Sequence, residues 1–179
     1  MELGFQSFTE PRQIDCHLNV DSRGSLEEVF KPEIAKLFDN FNCQLELEVK
    51  SKKDVIRGLH YQLNNFAQAK IVRVTYGMIF DVVVDLRKSS PKFGKLNCRL
   101  LNAKEPKLLY IPRGYAHGYQ VIEDACVNYK LDNDFNEQNS RGLLFNDPDL
   151  SIPWPPCRAP ILSEKDKNFP RFIYAEYYD

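Results

Sequence analysis

Lys107-Leu108-Leu109-Tyr110-Ile111-Pro112-Arg113-Gly114-Tyr115-Ala116-His117-Gly118-Tyr119 is a strand, a break and a return. Residues 107–111 read as a strand. Pro112 ends it, Gly114 turns the chain, and His117 points back into whatever the strands enclose. Earlier in the chain, Arg57-Gly58-Leu59-His60-Tyr61-Gln62 mixes the same residue types. The chain has three histidines, and two of them sit in these segments. Gly, His, Arg and Tyr beside β-rich sequence fit a polar site inside a barrel better than an apolar core.

Outward from these segments the chain is a series of short β-type runs. Residues 70–74 read Lys-Ile-Val-Arg-Val, Tyr76-Gly77 marks a turn, and 79–86 is rich in β-branched residues. Residues 97–101 and 125–131 are further candidates, all separated by Gly, Pro, Asn or Ser. Helix is expected only over 32–38, where proline suits a first turn, and over 163–166, with Ser163 as cap. The pattern predicts a mainly β fold: a jelly-roll barrel of antiparallel strands with a few short helices, as one domain over residues 1–179.

Period-two geometry divides the run from Ile79. Asp81, Val83 and Asp85 share one face, and Phe80, Val82, Val84 and Leu86 the other. The aliphatic face is expected to pack between sheets. Asp85 has a plain role as an ion-pair partner of Arg87 or Arg73 at the rim. Asp81 is expected to face a polar cavity.

Composition narrows the function classes. A net charge of −1 gives no bulk drive toward nucleic acid or a membrane surface. Five cysteines, an odd number without a C-x-x-C pair, suggest free thiols in a reducing compartment. The N-terminus has no basic segment followed by an apolar run, and no stretch is apolar enough to span a bilayer. A cytoplasmic protein without nucleic-acid or membrane partners is the expectation.

Pro112-x-Gly-x-x-His117 matches the second half of the cupin pattern. A metal-binding cupin also needs a His-x-His pair and a glutamate, because a stable site takes three or four converging ligands. Here Gln62 stands where the second histidine of that pair would be, so no metal is expected. A neutral imidazole can instead take a proton from a carbon acid and return it. Arg57, Lys70 and Arg23 supply fixed positive charge, and the arginine fork suits diphosphate. Each residue also has a structural reading. His60 could bond between strands, Tyr129 could fill a core, Asp166 could sit on a solvated turn, Lys70 could be an edge charge, and Trp154 packs.

The ordered set Asp21-Ser-Arg23-Gly24, Glu28, Val55-Ile-Arg57-Gly-Leu-His60-Tyr-Gln62, Gln68-Ala-Lys70, Phe80-Asp81-Val-Val-Val-Asp85-Leu-Arg87, Ser90-Pro-Lys-Phe-Gly94, Tyr110-Ile-Pro-Arg-Gly-Tyr-Ala-His117-Gly, Tyr129-Lys130, Asn146-Asp147-Pro148, Ile152-Pro-Trp154-Pro155 and Leu162-Ser-Glu-Lys165-Asp166 resembles the dTDP-4-dehydrorhamnose 3,5-epimerase family. These are metal-free sugar-nucleotide epimerases on the cupin superfold, and the resemblance covers nearly the whole chain. It implies proton abstraction beside the ketone of a nucleotide-linked 4-keto-6-deoxy sugar, then reprotonation at C3, C5 or both, with no cofactor because the substrate's own ketone is the electron sink. By similarity His60 is the base, Tyr129 the acid, Asp166 the group that orients His60, and Lys70 the stabiliser of the enolate oxygen. Arg57, Gln62, Asp81 and His117 are implied around the sugar. Phe135, Lys165, Arg23 and Glu28 are implied at the nucleotide or its diphosphate, the last two from a partner subunit. A homodimer with exchanged N-terminal strands follows from the same resemblance.

The chain departs from the family at its recognition residues. A Gln-x-Asn-x-Ser stretch is replaced by Gln44-Leu-Glu-Leu-Glu-Val-Lys-Ser51. Gly24 is followed by Ser25 and Leu26, Phe135 replaces a tyrosine, and Ser140 a glutamate. The alternatives are a 3,4-ketoisomerase on the same substrate class, a non-catalytic sugar-nucleotide-binding cupin, and a metal-dependent oxygenase.

Overall fold

A computed structural model of the chain describes residues 9–179. Two long strands organise it: β6 (Lys70–Asp85) and β9 (Tyr115–Leu131), antiparallel along their whole length. One half of this pair is flanked by β8 (Lys107–Ile111) and, beyond it, β1 (Arg12–Asp15). On the β9 side of the same half lies β4 (Leu45–Ser51). The other half is flanked by β7 (Leu96–Asn102) on β6, and by β5 (Ile56–Gln62) and then β10 (Ser140–Gly142) on β9. Two antiparallel sheets therefore share β6 and β9 and close over one interior, which is the expected jelly roll. Among the described residues, the hairpin of β2 (His17–Asp21) and β3 (Gly24–Glu28) pairs only with itself.

The expected turn at Tyr76-Gly77 is instead a bulge inside one continuous strand. Before it, the paired residues of β6 and β9 sum to one register (Val72 with Tyr129), and after it they have slipped by one (Asp81 with Tyr119). A slip of one residue flips every later side chain to the other face. Val72 and Val74 point inward before the bulge, and Ile79 and Val83 after it, all in the same interior cluster with Leu109, Tyr119 and Val127. Gly77 has φ +72°, and a Cβ there would come within 1.9 Å of the Asp124 carbonyl oxygen, so the turn chemistry read from sequence is real but serves the bulge. Its consequence is that Lys70 and Asp81 face the same interior.

The opposite face of β6 is also buried. Val82, Val84 and Leu86 pack with Leu59, Leu143 and the C-terminal segment through Trp154, Phe172 and Tyr178. The predicted pairing of Asp85 with Arg87 is present. Both expected helices form. Helix α1 (Pro32–Leu37) has proline in its first turn and delivers Phe38, which stacks on Tyr110 at 4.4 Å between ring centroids. Helix α2 (Glu164–Lys167) is capped by the Ser163 hydroxyl, which accepts the Asp166 amide at 3.1 Å. Among the described residues no helix is long and apolar enough to cross a membrane.

Candidate active site

A cavity of about 810 Å³ opens between β4, β5 and β9, and its lining includes Arg57, His60, Gln62, Lys70, His117, Tyr129, Phe135, Lys165 and Asp166. Nine of the sequence-predicted residues thus share one site. They come together because β5 and β9 approach closely. Gly58 and Gly118 face each other there: a Cβ on Gly58 would lie 2.7 Å from Gly118 Cα, and one on Gly118 would lie 2.6 Å from the Arg57 carbonyl oxygen. This contact sets His60 and His117 directly opposite each other in the ladder.

His60 Nε2 lies 2.7 Å from Asp166 Oδ1. The imidazole is partly open to the cavity while Asp166 is buried. Burial alone would push the Asp166 carboxyl up. The hydrogen bond and charge of His60, with the Gly58 amide and the Ser163 cap, more than offset this and hold it below its usual range. An ionised carboxylate only accepts, so Nε2 donates the shared hydrogen, and Nδ1 is the ring nitrogen left for a ligand.

Lys70 is buried, with Nζ 3.3 Å from the His60 carbonyl oxygen. Burial lowers its pKa to about 8, against the opposing pull of Asp81. Tyr129 lies 6.1 Å from His117 between ring centroids, with Tyr119 beside it at 6.4 Å. Burial, reinforced by Tyr119, raises the Tyr129 hydroxyl well above its ordinary value, which keeps it a proton donor. His117 is held through Nε2 by Asp81 Oδ2 at 2.6 Å. Burial pushes its pKa down, Asp81 opposes, and Lys70 and His60 add to the lowering. A neutral His117 results.

Two expectations need adjustment. Asp81 does not face the cavity. It is fully buried behind His117, opposite Arg99 in the β6–β7 ladder, and acts on the ring rather than on a ligand. Gln62 lines the cavity, but its amide is spent on the protein: Nε2 donates to the carbonyls of Phe66 and Asp134, and Oε1 accepts the Asn136 amide. Arg23 sits at the tip of the β2–β3 hairpin, fully solvated and paired with Asp21. Glu28 pairs with Lys31 beside a separate hollow. Neither belongs to this cavity within one chain.

Sequence reading overlooked the strand β4, where Leu45, Leu47 and Val49 line the cavity and Glu46, Glu48 and Lys50 point outward. The signal was present as a clean alternation. Its apolar face stands where the family resemblance leads one to expect Gln-x-Asn-x-Ser. Tyr119, which follows His117 at period two on β9, also lines the cavity and carries no local sequence mark of it. Among the described residues no group of three or more His, Cys, Asp or Glu is placed to hold a metal ion.

Comparison with known proteins agrees with this geometry. Residues 7–173 match the family model described as dTDP-4-dehydrorhamnose 3,5-epimerase. The chain is 47% identical over 130 residues to the dTDP-4-dehydrorhamnose 3,5-epimerase of Shigella flexneri, covering 72% of this chain and 71% of that one. It superposes with a TM-score of 0.88 on the crystal structure of dTDP-4-dehydrorhamnose 3,5-epimerase from Elizabethkingia anophelis NUHP1, at 38% identity over 94% of both chains. A dTDP-6-deoxy-D-glucose-3,5-epimerase from Legionella pneumophila, solved with dTDP-4-keto-L-rhamnose, superposes with a TM-score of 0.89 at 30% identity, over 96% of this chain and 92% of that one.

Proposed function

The chain belongs to the dTDP-4-dehydrorhamnose 3,5-epimerase family, and from that membership we propose that it inverts C3 and C5 of a dTDP-linked 4-keto-6-deoxy sugar, with His60 as base and Tyr129 as acid. The observation that carries the proposal is the His60–Asp166 pair at 2.7 Å, opening into the cavity that Lys70 and Tyr129 also line.

The ketone at C4 acidifies the hydrogens on C3 and C5. His60 Nδ1 takes one of them. The C–H electrons become the enolate double bond, and the carbonyl electrons move onto O4. The Lys70 ammonium stabilises that oxygen where negative charge develops. The Tyr129 hydroxyl then delivers a proton to the other face of the same carbon, and the enolate returns to ketone. Tyr129 regains a proton from water and His60 releases one, so each inversion is redox-neutral. Asp166 stays ionised throughout and stabilises the imidazolium, as a carboxylate does in other histidine dyads. Neutral His117, donating Nε2–H to Asp81, keeps a lone pair on Nδ1 and suits a sugar hydroxyl. Phe135, exposed at the mouth, offers a face to the nucleobase, and Arg57 and Lys165 offer charge to the diphosphate.

We also infer a homodimer in which the β2–β3 hairpin reaches a second copy. An isolated two-stranded ribbon is marginal in water, yet this one presents Leu18, Val20 and Leu26 to solvent. Its Arg23 and Glu28 would then serve the partner's nucleotide.

Incubation with dTDP-4-keto-6-deoxyglucose in D2O, followed by NMR, tests the reaction. Deuterium at C3 and C5 with inverted stereochemistry is expected. Sugar carbons that stay protiated would leave a binding protein, and a carbonyl moved to C3 would make it a ketoisomerase.

A further inference from the structure

We propose that Gln62 is a positioning residue for nucleotide recognition, acting through the segment that carries Phe135 rather than through contact with the ligand. The proposal rests on the nucleotide-sugar reading above.

Phe135 is a large aromatic side chain left 60% exposed at the cavity mouth. An exposed ring on a short segment binds a planar partner well only if the backbone under it is already ordered, since ordering it on binding costs affinity. Gln62 supplies that order from the end of β5. It is 4% exposed and uses both ends of its amide on the segment. Nε2 donates to the Asp134 carbonyl at 3.0 Å and Oε1 accepts the Asn136 amide at 2.6 Å, one residue on either side of Phe135. The same Nε2 donates to the Phe66 carbonyl at 3.1 Å, joining this segment to the 63–69 loop.

Neighbouring side chains extend the clamp. Gln68 Nε2 donates to the Asn133 and Asp134 carbonyls at 2.9 and 3.2 Å. Asn133 Nδ2 donates to the Asn65 carbonyl at 2.7 Å. Asn136 then caps the 3-10 turn Glu137–Asn139. Gln62 is the buried centre of this set, and it stands two residues from His60 on the same strand. The strand that presents the base thereby also fixes the aromatic ring, so the reacting carbon and the nucleobase are held at a set separation.

The test uses full-length Gln62→Met, which keeps the buried volume and removes all three hydrogen bonds. Binding of dTDP by calorimetry should weaken about tenfold, within the range of one base–aromatic stack. KM for the nucleotide sugar should rise in parallel, while kcat for deuterium exchange falls less than about threefold. Phe135→Ala should weaken dTDP binding similarly, and the double variant should bind no worse than Phe135→Ala alone. Additive losses would mean that Gln62 touches the ligand itself, and unchanged dTDP affinity in Gln62→Met would also overturn the proposal. Should Gln62→Met fail to fold, Gln68→Ala, at the more exposed end of the clamp, should weaken dTDP binding in the same direction, and no loss there would count against the clamp. Amide exchange at Asn136 gives a readout free of any ligand: protection in the parent protein, lost in Gln62→Met, is expected. If the parent binds no dTDP, the nucleotide reading fails, and unaltered Asn136 protection would separately sink the clamp.

Discussion

His60 and His117 face each other across the β5–β9 ladder, and each gives its Nε2 to a different carboxylate, Asp166 at 2.7 Å and Asp81 at 2.6 Å. The two pairs differ in exposure. The His60 side chain is 44% exposed and the His117 side chain 3%. Identical residue types placed in different environments take different roles. The open ring can exchange protons with a ligand and then with water. The sealed ring, kept neutral by burial, can only hold a fixed hydrogen-bonding direction.

Replacing Asp166 by Asn tests the open pair. The variant can keep the shape but can donate from its amide to Nε2, which moves the ring hydrogen to Nδ1, the atom proposed to take the substrate's proton. Deuterium exchange should fall on the order of 10³–10⁴-fold while circular dichroism stays unchanged. A loss below about tenfold would detach Asp166 from the chemistry.

Lys70 should set the alkaline side of the pH profile. In the proposed reaction its charge stabilises the enolate, and burial places its pKa at about 8. The kcat/KM of deuterium exchange should therefore decline as pH rises through about 8, and Lys70→Arg, which stays charged, should lose that limb even at lower activity. Stability should move the other way. Between about 8 and the ordinary lysine value the unfolded chain binds more protons than the folded one, so this group makes folding more favourable as pH rises through that window. Denaturant melts from pH 7 to 10 on the parent and Lys70→Arg separate this contribution from the rest.

In the proposed reaction Tyr129→Phe removes the donor but leaves the base. Deuterium should still enter the sugar beside the ketone, washed in by His60 on one face, while inversion drops by about 10²-fold or more. The raised Tyr129 pKa adds that no limb below pH 10 should disappear in this variant. NMR that separates exchange from inversion reads both at once, and loss of both together would place the donor elsewhere.

The β2–β3 hairpin predicts an assembly. Val20 is 72% exposed and Leu26 64%. A carboxylate buried without a partner costs several kcal/mol, so Val20→Asp with Leu26→Asp should shift sedimentation from dimer toward monomer and lower nucleotide affinity. A monomeric parent protein would remove the inference.

Much of this was legible in the chain because the chemistry is concentrated in short segments. Arg57 to Gln62 and Pro112 to Tyr119 place the two histidines on strands, and those strands pair. Asp166 was reachable only through the family resemblance, since nothing local says that a turn near the C-terminus folds over residue 60. Three kinds of fact were hidden. Gln62 carries no mark of whether its amide meets a ligand or the 134–136 backbone, because that depends on a loop remote in sequence. The inward position of Asp81 was found by alternation, but not its place behind His117, because depth in a barrel is a property of neighbouring strands. Lys70 and Asp81 differ by an odd number of positions, so simple alternation along β6 would have put them on opposite faces.

That last point makes Gly77 a test of how the site is assembled. Gly77→Ala adds a Cβ that would sit 1.9 Å from the Asp124 carbonyl oxygen at φ +72°, so either the bulge opens or the strand shifts. Strain of this kind costs about 2–3 kcal/mol, and for a chain of this size each kcal/mol lowers the melting midpoint by about 2–4 °C, giving roughly 4–12 °C. Activity should fall beyond what stability explains at 25 °C, because the bulge is what turns the Lys70 half and the Asp81 half of one strand toward the same interior. A variant that melts lower yet keeps full exchange activity while folded would show that the two halves hold their faces without it.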